Sequence, residues 1–424
     1  MNIYAIIIAT ALITTYTLNL IADILNLKAI RKELPDEFKG VYDETSYQKS
    51  QEYLRANTRF GLVTHTVDLI TLFLFWFLGG FDFVDQVVRS WGYGSIVTGL
   101  AYIGVLVAAQ GVLSYPFSLY HTFVLEEKFG FNKTTLSTFI LDQIKGLALG
   151  VLLGALLLAG ILWFFEYVGP SAWLWCWLCL TVVTLALQYI APTWIMPLFN
   201  KFTPLQDGEL KQSILSYANS VRFPLSGVYV IDGSKRSTKS NAFFSGFGKN
   251  KRIALYDTLI EKHTVPELVA VLAHEIGHYK RKHIVKGMAI GIFQTGIIFF
   301  LLSIFLTNSG LFEAFFMEKM SIYAGLIFFG LLYTPVEFII SIFMHIFSRK
   351  NEYEADRYVS ETYQTPEALA DALKKLSVNN LSNLTPHPFY VFMNYSHPPT
   401  LSRIQAIYKA SSKKSGALRE AVTI

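Results

Sequence analysis

Seven runs of apolar residues, at about 3–25, 62–80, 97–119, 146–167, 172–195, 287–306 and 322–346, decide what this chain can fold into. Each is close to the ~20 residues that cross a bilayer as a helix. In hydrocarbon every backbone N–H and C=O must be satisfied inside the segment, so such runs form helices. Composition agrees. Of 424 residues, 52% are hydrophobic and 16% charged, and the mean hydropathy is +0.39. Those values exclude an ordinary soluble protein. The first run lacks the basic start and small-residue cleavage site of a signal peptide and reads as an uncleaved anchor.

Lys and Arg in the connecting loops set the orientation. The loop after the first span carries Lys28, Arg31, Lys32, Lys39, Lys49, Arg55 and Arg59. The next has only Arg89, the third has Lys128 and Lys133, the loop around Gly169-Pro170 has none, and the last has only Lys319. This alternation places the N-terminus outside and the C-terminus in the cytoplasm. Residues 1–195 form an N-terminal membrane region of five spans. Residues 196–424 form a second region with two further spans, and its segments 196–286 and 347–424 share the cytoplasmic side.

The net charge of +5 suits juxtamembrane basic residues. No basic stripe with interleaved aromatics appears, so nucleic acid is not an expected partner; membrane lipid is. Cys176 and Cys179 sit in a Trp-rich apolar run and read as small buried hydrophobes rather than a redox pair. Asp68, Gln110, Gln188, Glu337 and His345 fall within or near spans. Ionisable and polar groups in a membrane usually face a protein interior or a water-filled cavity, so these predict a polar space in the bundle. Residues 228–231 and 252–256 read as short strands, and the Gly- and Ser-rich stretch 240–248 as a hairpin or loop between them. A strand edge there can hold an extended peptide by main-chain hydrogen bonds.

The chemistry is carried by His274-Glu275-Ile276-Gly277-His278, an HExxH motif. Histidines four apart on a helix offer two imidazole nitrogens to one zinc, and the glutamate between them reaches the water completing the site. An accidental HExxH in a chain this long has a probability of roughly 1%. Context adds to it: Pro266-Glu267 followed by apolar residues reads as a helix start. A hydrolytic zinc needs a third protein ligand and an open position. Glu352, directly after the last span, is the candidate. Asp356 lies one turn on and suits a hydrogen bond that orients a ligand histidine. Glu354 points elsewhere on that helix and reads as solvated. Glu275 is the expected general base. His397 and Arg403 are candidates to stabilise the oxyanion.

The order of motifs resembles the CAAX prenyl endopeptidase family, integral-membrane zinc metalloproteases of gluzincin type. The likeness runs through Leu125-Glu126-Glu127-Lys128-Phe129-Gly130-Phe131-Asn132, Pro197-Leu198-Phe199-Asn200, Ser240-Asn241-Ala242 with Lys249-Asn250-Lys251-Arg252, the HExxH, 352–356 and Ser396-His397-Pro398-Pro399. The resemblance implies a mainly α-helical fold, with seven membrane helices around a water-filled chamber and a zinc protease region with a small β-hairpin. It implies one Zn2+ per chain on His274, His278 and Glu352, with Glu275 catalytic and Asp356 behind the ligands. It also implies that Asn241, His397 and Arg403 line the site and bind substrate backbone or oxyanion. The expected substrate is a peptide or protein, prenylated or membrane-associated, processed at its C-terminus or as part of membrane-protein quality control.

Three features depart from eukaryotic members: a shorter chain, a compact loop at 307–321 and no dilysine signal at 419–424. They point to the bacterial inner membrane, with the endoplasmic reticulum membrane as the alternative. Competing readings of the polar cavity are a transporter and a catalytically silent membrane scaffold.

Overall fold

A computed structural model of the chain describes residues 2–245 and 251–422. Six helices make the N-terminal part: α1 (Ile3–Lys28), α2 (Glu44–Phe77), α3 (Gly80–Ser90), α4 (Ser95–Tyr120), α5 (Leu136–Tyr167) and α6 (Ala172–Ile190). The later helices are α7 (Glu209–Ser220), α8 (Asp257–Lys262), α9 (Val265–Lys280), α10 (His283–Phe305), α11 (Ser309–Glu313), α12 (Ile322–Thr362), α13 (Glu367–Asn379), α14 (Pro388–Asn394) and α15 (Thr400–Val422). Four strands, β1 (Phe202–Pro204), β2 (Leu225–Ile231), β3 (Ala242–Ser245) and β4 (Lys251–Tyr256), form one sheet in the order β1-β2-β4-β3.

Among the described residues, seven helical segments are long and apolar enough to span a membrane: Ile3–Lys28, Glu44–Phe77, Ser95–Glu126, Leu136–Tyr167, Gly169–Leu198, His283–Phe305 and Ile322–Thr362. They are the seven apolar runs, and the chain is an integral membrane protein. Two helices far outrun their apolar stretches. The α2 helix starts at Glu44, where the Asp43 side chain accepts a hydrogen bond from the Ser46 N–H at 2.8 Å. The basic stretch read as a loop is therefore partly helix. The α12 helix continues to Thr362, so residues 352–356 ride on the same rod as the last span.

The neighbouring pairs α4/α5, α5/α6, α6/α10, α10/α12 and α12/α4 close a ring, with α1 against both α12 and α2. At most 22% of any span's most apolar window is buried. A solid bundle would bury a continuous face of each helix. Asp68, Gln110, Gln188 and Glu337 remain exposed on these helices, and Gln110 Nε2 lies 3.4 Å from Asp68 Oδ1. His345 differs: its Nδ1 donates to the Met393 carbonyl at 2.9 Å and ties α12 to α14. Cys176 is buried as expected, whereas Cys179 lies on an exposed face of its helix.

The two expected strands are β2 and β4, and they pair in parallel. The short β1, antiparallel to β2, has no signal in the sequence beyond its Pro-flanked position. The edge strand β3 runs antiparallel to β4, from Ala242 opposite Leu255 to Ser245 opposite Arg252. The stretch read as a hairpin is placed up to Ser245; residues 246–250 lie outside the described residues.

The molecule has two main cores. One, within the membrane bundle, stacks Trp76, Phe315 and Phe328, with ring centroids 4.6 and 4.0 Å apart. The other joins α7, β2, β4, α9, α13 and α15 to the end of α12 through Ile214, Leu255, Leu272, Ile276, Val359 and Ile407. Ion pairs link the two regions just before β3. Arg236 meets Asp142 on α5 at 2.8 and 2.9 Å. Lys239 meets Glu126 at 2.8 Å, and its ammonium lies 4.4 Å from the centre of the Phe131 ring.

Candidate active site

The α9 helix is started by its own sequence. Thr264 precedes it, Pro266 occupies its first turn, and the Thr264 N–H donates to Glu267 Oε2 at 2.8 Å. Glu267 is held in turn by Lys375 of α13 at 2.8 Å. The helix is buried almost all round, and His274 and His278 lie one turn apart on it. Gly277 between them faces α12. A Cβ there would sit 3.2 Å from both the Cα and the carbonyl oxygen of Ala355. A Cβ there would be tighter than ordinary van der Waals contact, so glycine favours the close approach that brings Glu352 to the histidines.

His274 Nε2 and His278 Nε2 are 3.1 Å apart. Glu352 Oε1 is 3.2 Å from His278 Nε2, and its Oε2 is 3.5 Å from His274 Nε2. Ligands on a tetrahedral zinc, with bonds of about 2.0–2.1 Å, lie roughly 3.3 Å from one another. The triangle fits that face. Glu352 Oε2 is also buried without a hydrogen bond, although Arg403 Nη1 is 3.1 Å away. A buried acceptor left without a hydrogen bond beside two converging imidazole nitrogens suits a cation. Among the described residues this is the one group of three or more such side chains positioned to share a metal ion.

Around the triangle lies a layer of buried charge. Asp356 Oδ1 is 2.9 Å from His274 Nδ1. Arg403 donates to both Asp356 oxygens, from Nε at 2.9 Å and from Nη2 at 2.7 Å. Burial depresses the Arg403 guanidinium, but Asp356, Glu352 and Glu275 override it and hold it above its usual range. Burial also pushes the His274 imidazole down, and the neighbouring carboxylates of Asp356 and Glu352 outweigh this and lift it to about 9.

On the other side, His278 Nδ1 is 3.1 Å from His283 Nδ1, and His283 Nε2 is 3.2 Å from Glu354 Oε2. Glu354 does point away from Glu352, but it is paired rather than simply solvated. Sequence reasoning passed over His283. Its one signal was a third histidine five residues after His278.

The remaining expected residues border a cleft of about 460 Å3 that includes Asn241, Glu275, His397 and Arg403 beside the ligands. Asn241 is exposed, and its carbonyl accepts the Tyr256 N–H at 3.2 Å. His397 has a 64% exposed side chain, with Nε2 3.4 Å from Glu352 Oε1. Its loop is fixed from α12: the Arg349 guanidinium donates to the Val391 carbonyl at 3.0 Å and also to that of Tyr395. Arg403 is buried among carboxylates, in contrast to His397.

A ring of membrane helices, an HExxH helix and a glutamate from the helix beside it define an integral-membrane zinc metalloendopeptidase. Family comparison agrees. A model of the CAAX prenyl protease N-terminal region, with five membrane helices, matches residues 23–201, and peptidase family M48 matches residues 204–411. The chain is 36% identical over 415 residues to CAAX prenyl protease 1 of Saccharomyces cerevisiae, covering 91% of each. It is 33% identical to the human CAAX prenyl protease 1 homolog, covering 88% of each. The crystal structure of S. mikatae Ste24p superposes with a TM-score of 0.91 at 34% identity, over 96% of this chain and 99% of that one. The chain belongs to the CAAX prenyl protease 1 family of M48 peptidases. The expectation of a bacterial member finds no support here: these relatives are eukaryotic, and this chain spans nearly their full length. The compact 307–321 loop and the absence of a dilysine signal were weak indicators beside a match of that extent.

Proposed function

We propose that this chain cleaves peptide bonds near the C-terminus of prenylated CAAX proteins at a eukaryotic membrane, that of the endoplasmic reticulum. The observation that carries this reading is the 3.1–3.5 Å triangle of His274, His278 and Glu352 at the end of a membrane helix ring. The relatives, CAAX prenyl proteases by name, supply the substrate class.

A zinc ion on those three residues supplies a Lewis acid and brings the pKa of a coordinated water near 7. Glu275, between the ligand histidines and at the cleft, takes a proton from the attacking water and returns it to the leaving amine. His397 lines the same cleft, with Nε2 3.4 Å from Glu352 Oε1, and donates to the oxyanion. Arg403 acts through what it holds: its hydrogen bonds fix Asp356, and its charge offsets Glu352. Asn241 adjoins the edge strand β3, where an extended substrate pairs by main-chain hydrogen bonds. The exposed polar residues on the membrane helices give the substrate a wet approach to the zinc.

Mass spectrometry of products from a prenylated peptide, its unprenylated counterpart and an unfolded membrane protein tests this, with Glu275→Gln as control. Cleavage of the prenylated peptide by the wild type, and its loss by about 10²–10⁴-fold in the control, is expected. Preferential cleavage of the unfolded protein, or equal cleavage of both peptides, contradicts the substrate assignment.

A further inference from the structure

The chain through His283 has no role in the proposed hydrolysis, yet its geometry is specific. His283 is 6% exposed and is the first residue of α10. The break before it is sharp: Lys282 adopts the left-handed conformation, φ 59°, which turns the chain back so that the His283 ring meets that of His278. The two centroids are 5.1 Å apart at 76°. Glu354 approaches His283 from α12, between Glu352 and Asp356 in sequence.

The hydrogen positions follow from the partners. His278 directs Nε2 at Glu352 and His274, so that nitrogen must present its lone pair to a metal. Its proton then sits on Nδ1 and is donated to His283 Nδ1. His283 must carry its own proton on Nε2, and it donates this to the Glu354 carboxylate. The reverse tautomer of His283 would set a lone pair against a carboxylate oxygen. The geometry points to His283 and Glu354 as positioning residues for the metal: an imidazole–carboxylate relay that fixes the tautomer and ring plane of His278. His274 obtains the same control directly from Asp356, at 2.9 Å. One stretch of α12 thus serves every ligand. Glu352 ligates, Asp356 orients one histidine, and Glu354 orients the other through His283. Hydrogen bonds of this kind raise ligand basicity and typically tighten metal binding by about 10–100-fold.

The inference rests on the zinc reading of His274, His278 and Glu352. Its test is zinc affinity by chelator competition, together with the visible spectrum of the Co2+-substituted protein. The purified full chain is compared as wild type, His283→Leu, His283→Gln and Glu354→Ala. A leucine ends the relay, whereas a glutamine amide can accept from His278 and donate to Glu354. We expect zinc binding about 10–100-fold weaker in His283→Leu, with a shifted Co2+ band. Recovery of most of the affinity is expected in His283→Gln, and a smaller loss in Glu354→Ala. Glu354 is one-third exposed, so its variant decides the matter if His283→Leu does not fold. Unchanged zinc affinity and Co2+ spectrum in Glu354→Ala would overturn the relay whatever the His283 variants do. A wild-type chain that binds no zinc would instead overturn the metal site itself.

Discussion

Arg403 grips Asp356 with two parallel hydrogen bonds, at 2.9 and 2.7 Å, and the Asp356 oxygen at the shorter one also lies 2.9 Å from His274 Nδ1. One carboxylate therefore links the C-terminal helix to a zinc ligand, with all three side chains buried. Asp356→Asn keeps the shape but loses the charge and one acceptor. Zinc affinity is expected to fall about 10–100-fold, read by chelator competition. Arg403→Lys, which cannot reproduce the planar fork, should lie between wild type and Asp356→Asn. Wild-type zinc affinity in Asp356→Asn would show that this contact does not tune the metal.

Gly277 sets the spacing between the helices that carry the ligands. Gly277→Ala forces a Cβ to within 3.2 Å of the Ala355 backbone, which cannot rotate away. The expected result is weaker zinc binding and a lower melting temperature. Gly61→Ala, in a helix where a Cβ meets nothing within 4 Å, is the control. It should be neutral or stabilising by up to about 1 kcal/mol. Equal effects of the two substitutions would refute the spacing argument.

The metal-free site should hold a proton that zinc displaces. His274 is lifted to about 9 by Asp356 and Glu352, although burial opposes this, so it is protonated at pH 7 without metal. The folded value lies above the unfolded one, near 6.5. Its contribution to the stability of the metal-free protein is therefore complete below about 6.5 and is lost as pH rises through about 9. Zinc needs the neutral ring. Calorimetric titration of zinc at pH 7 in two buffers of different ionisation enthalpy should show proton release, with affinity rising toward pH 9. Buffer-independent heats would contradict it.

His397 is exposed and meets the ligand set only at Glu352. If it donates to the oxyanion, His397→Ala should lower kcat by about 10²–10³-fold while zinc content stays at the wild-type level. Loss of zinc in that variant would reassign His397 to holding Glu352.

The residues that announced themselves in the sequence are those whose spacing is fixed within one helix. His274 and His278 are such a pair, and Glu352 and Asp356 another, so the three residues of the metal triangle were legible and Asp356 stood out as a candidate beside them. The seven spans were legible because bilayer thickness imposes their length. What escaped depends on how two elements meet. His283 joins the site only because Lys282 turns left-handed between two helices, and nothing in composition marks that turn. Glu354 sits beside two recognised acids, but its partner lies on another element. The parallel pairing of β2 with β4 needs a crossover between strands distant in sequence. The C-terminal ends of long helices such as α12 hid because polar residues there follow an apolar run without any breaker. Arg403 was identified as a site residue, but its burial between two carboxylates, which separates it from His397, came only from the fold.

The most direct test of the account is the zinc content of the purified chain, measured by mass spectrometry of the metal, in wild type, Glu275→Gln and Glu352→Ala. One zinc per chain is expected in the first two, and little or none in Glu352→Ala after dialysis against a mild chelator. A full zinc complement in Glu352→Ala would contradict the proposed coordination and, with it, the mechanism.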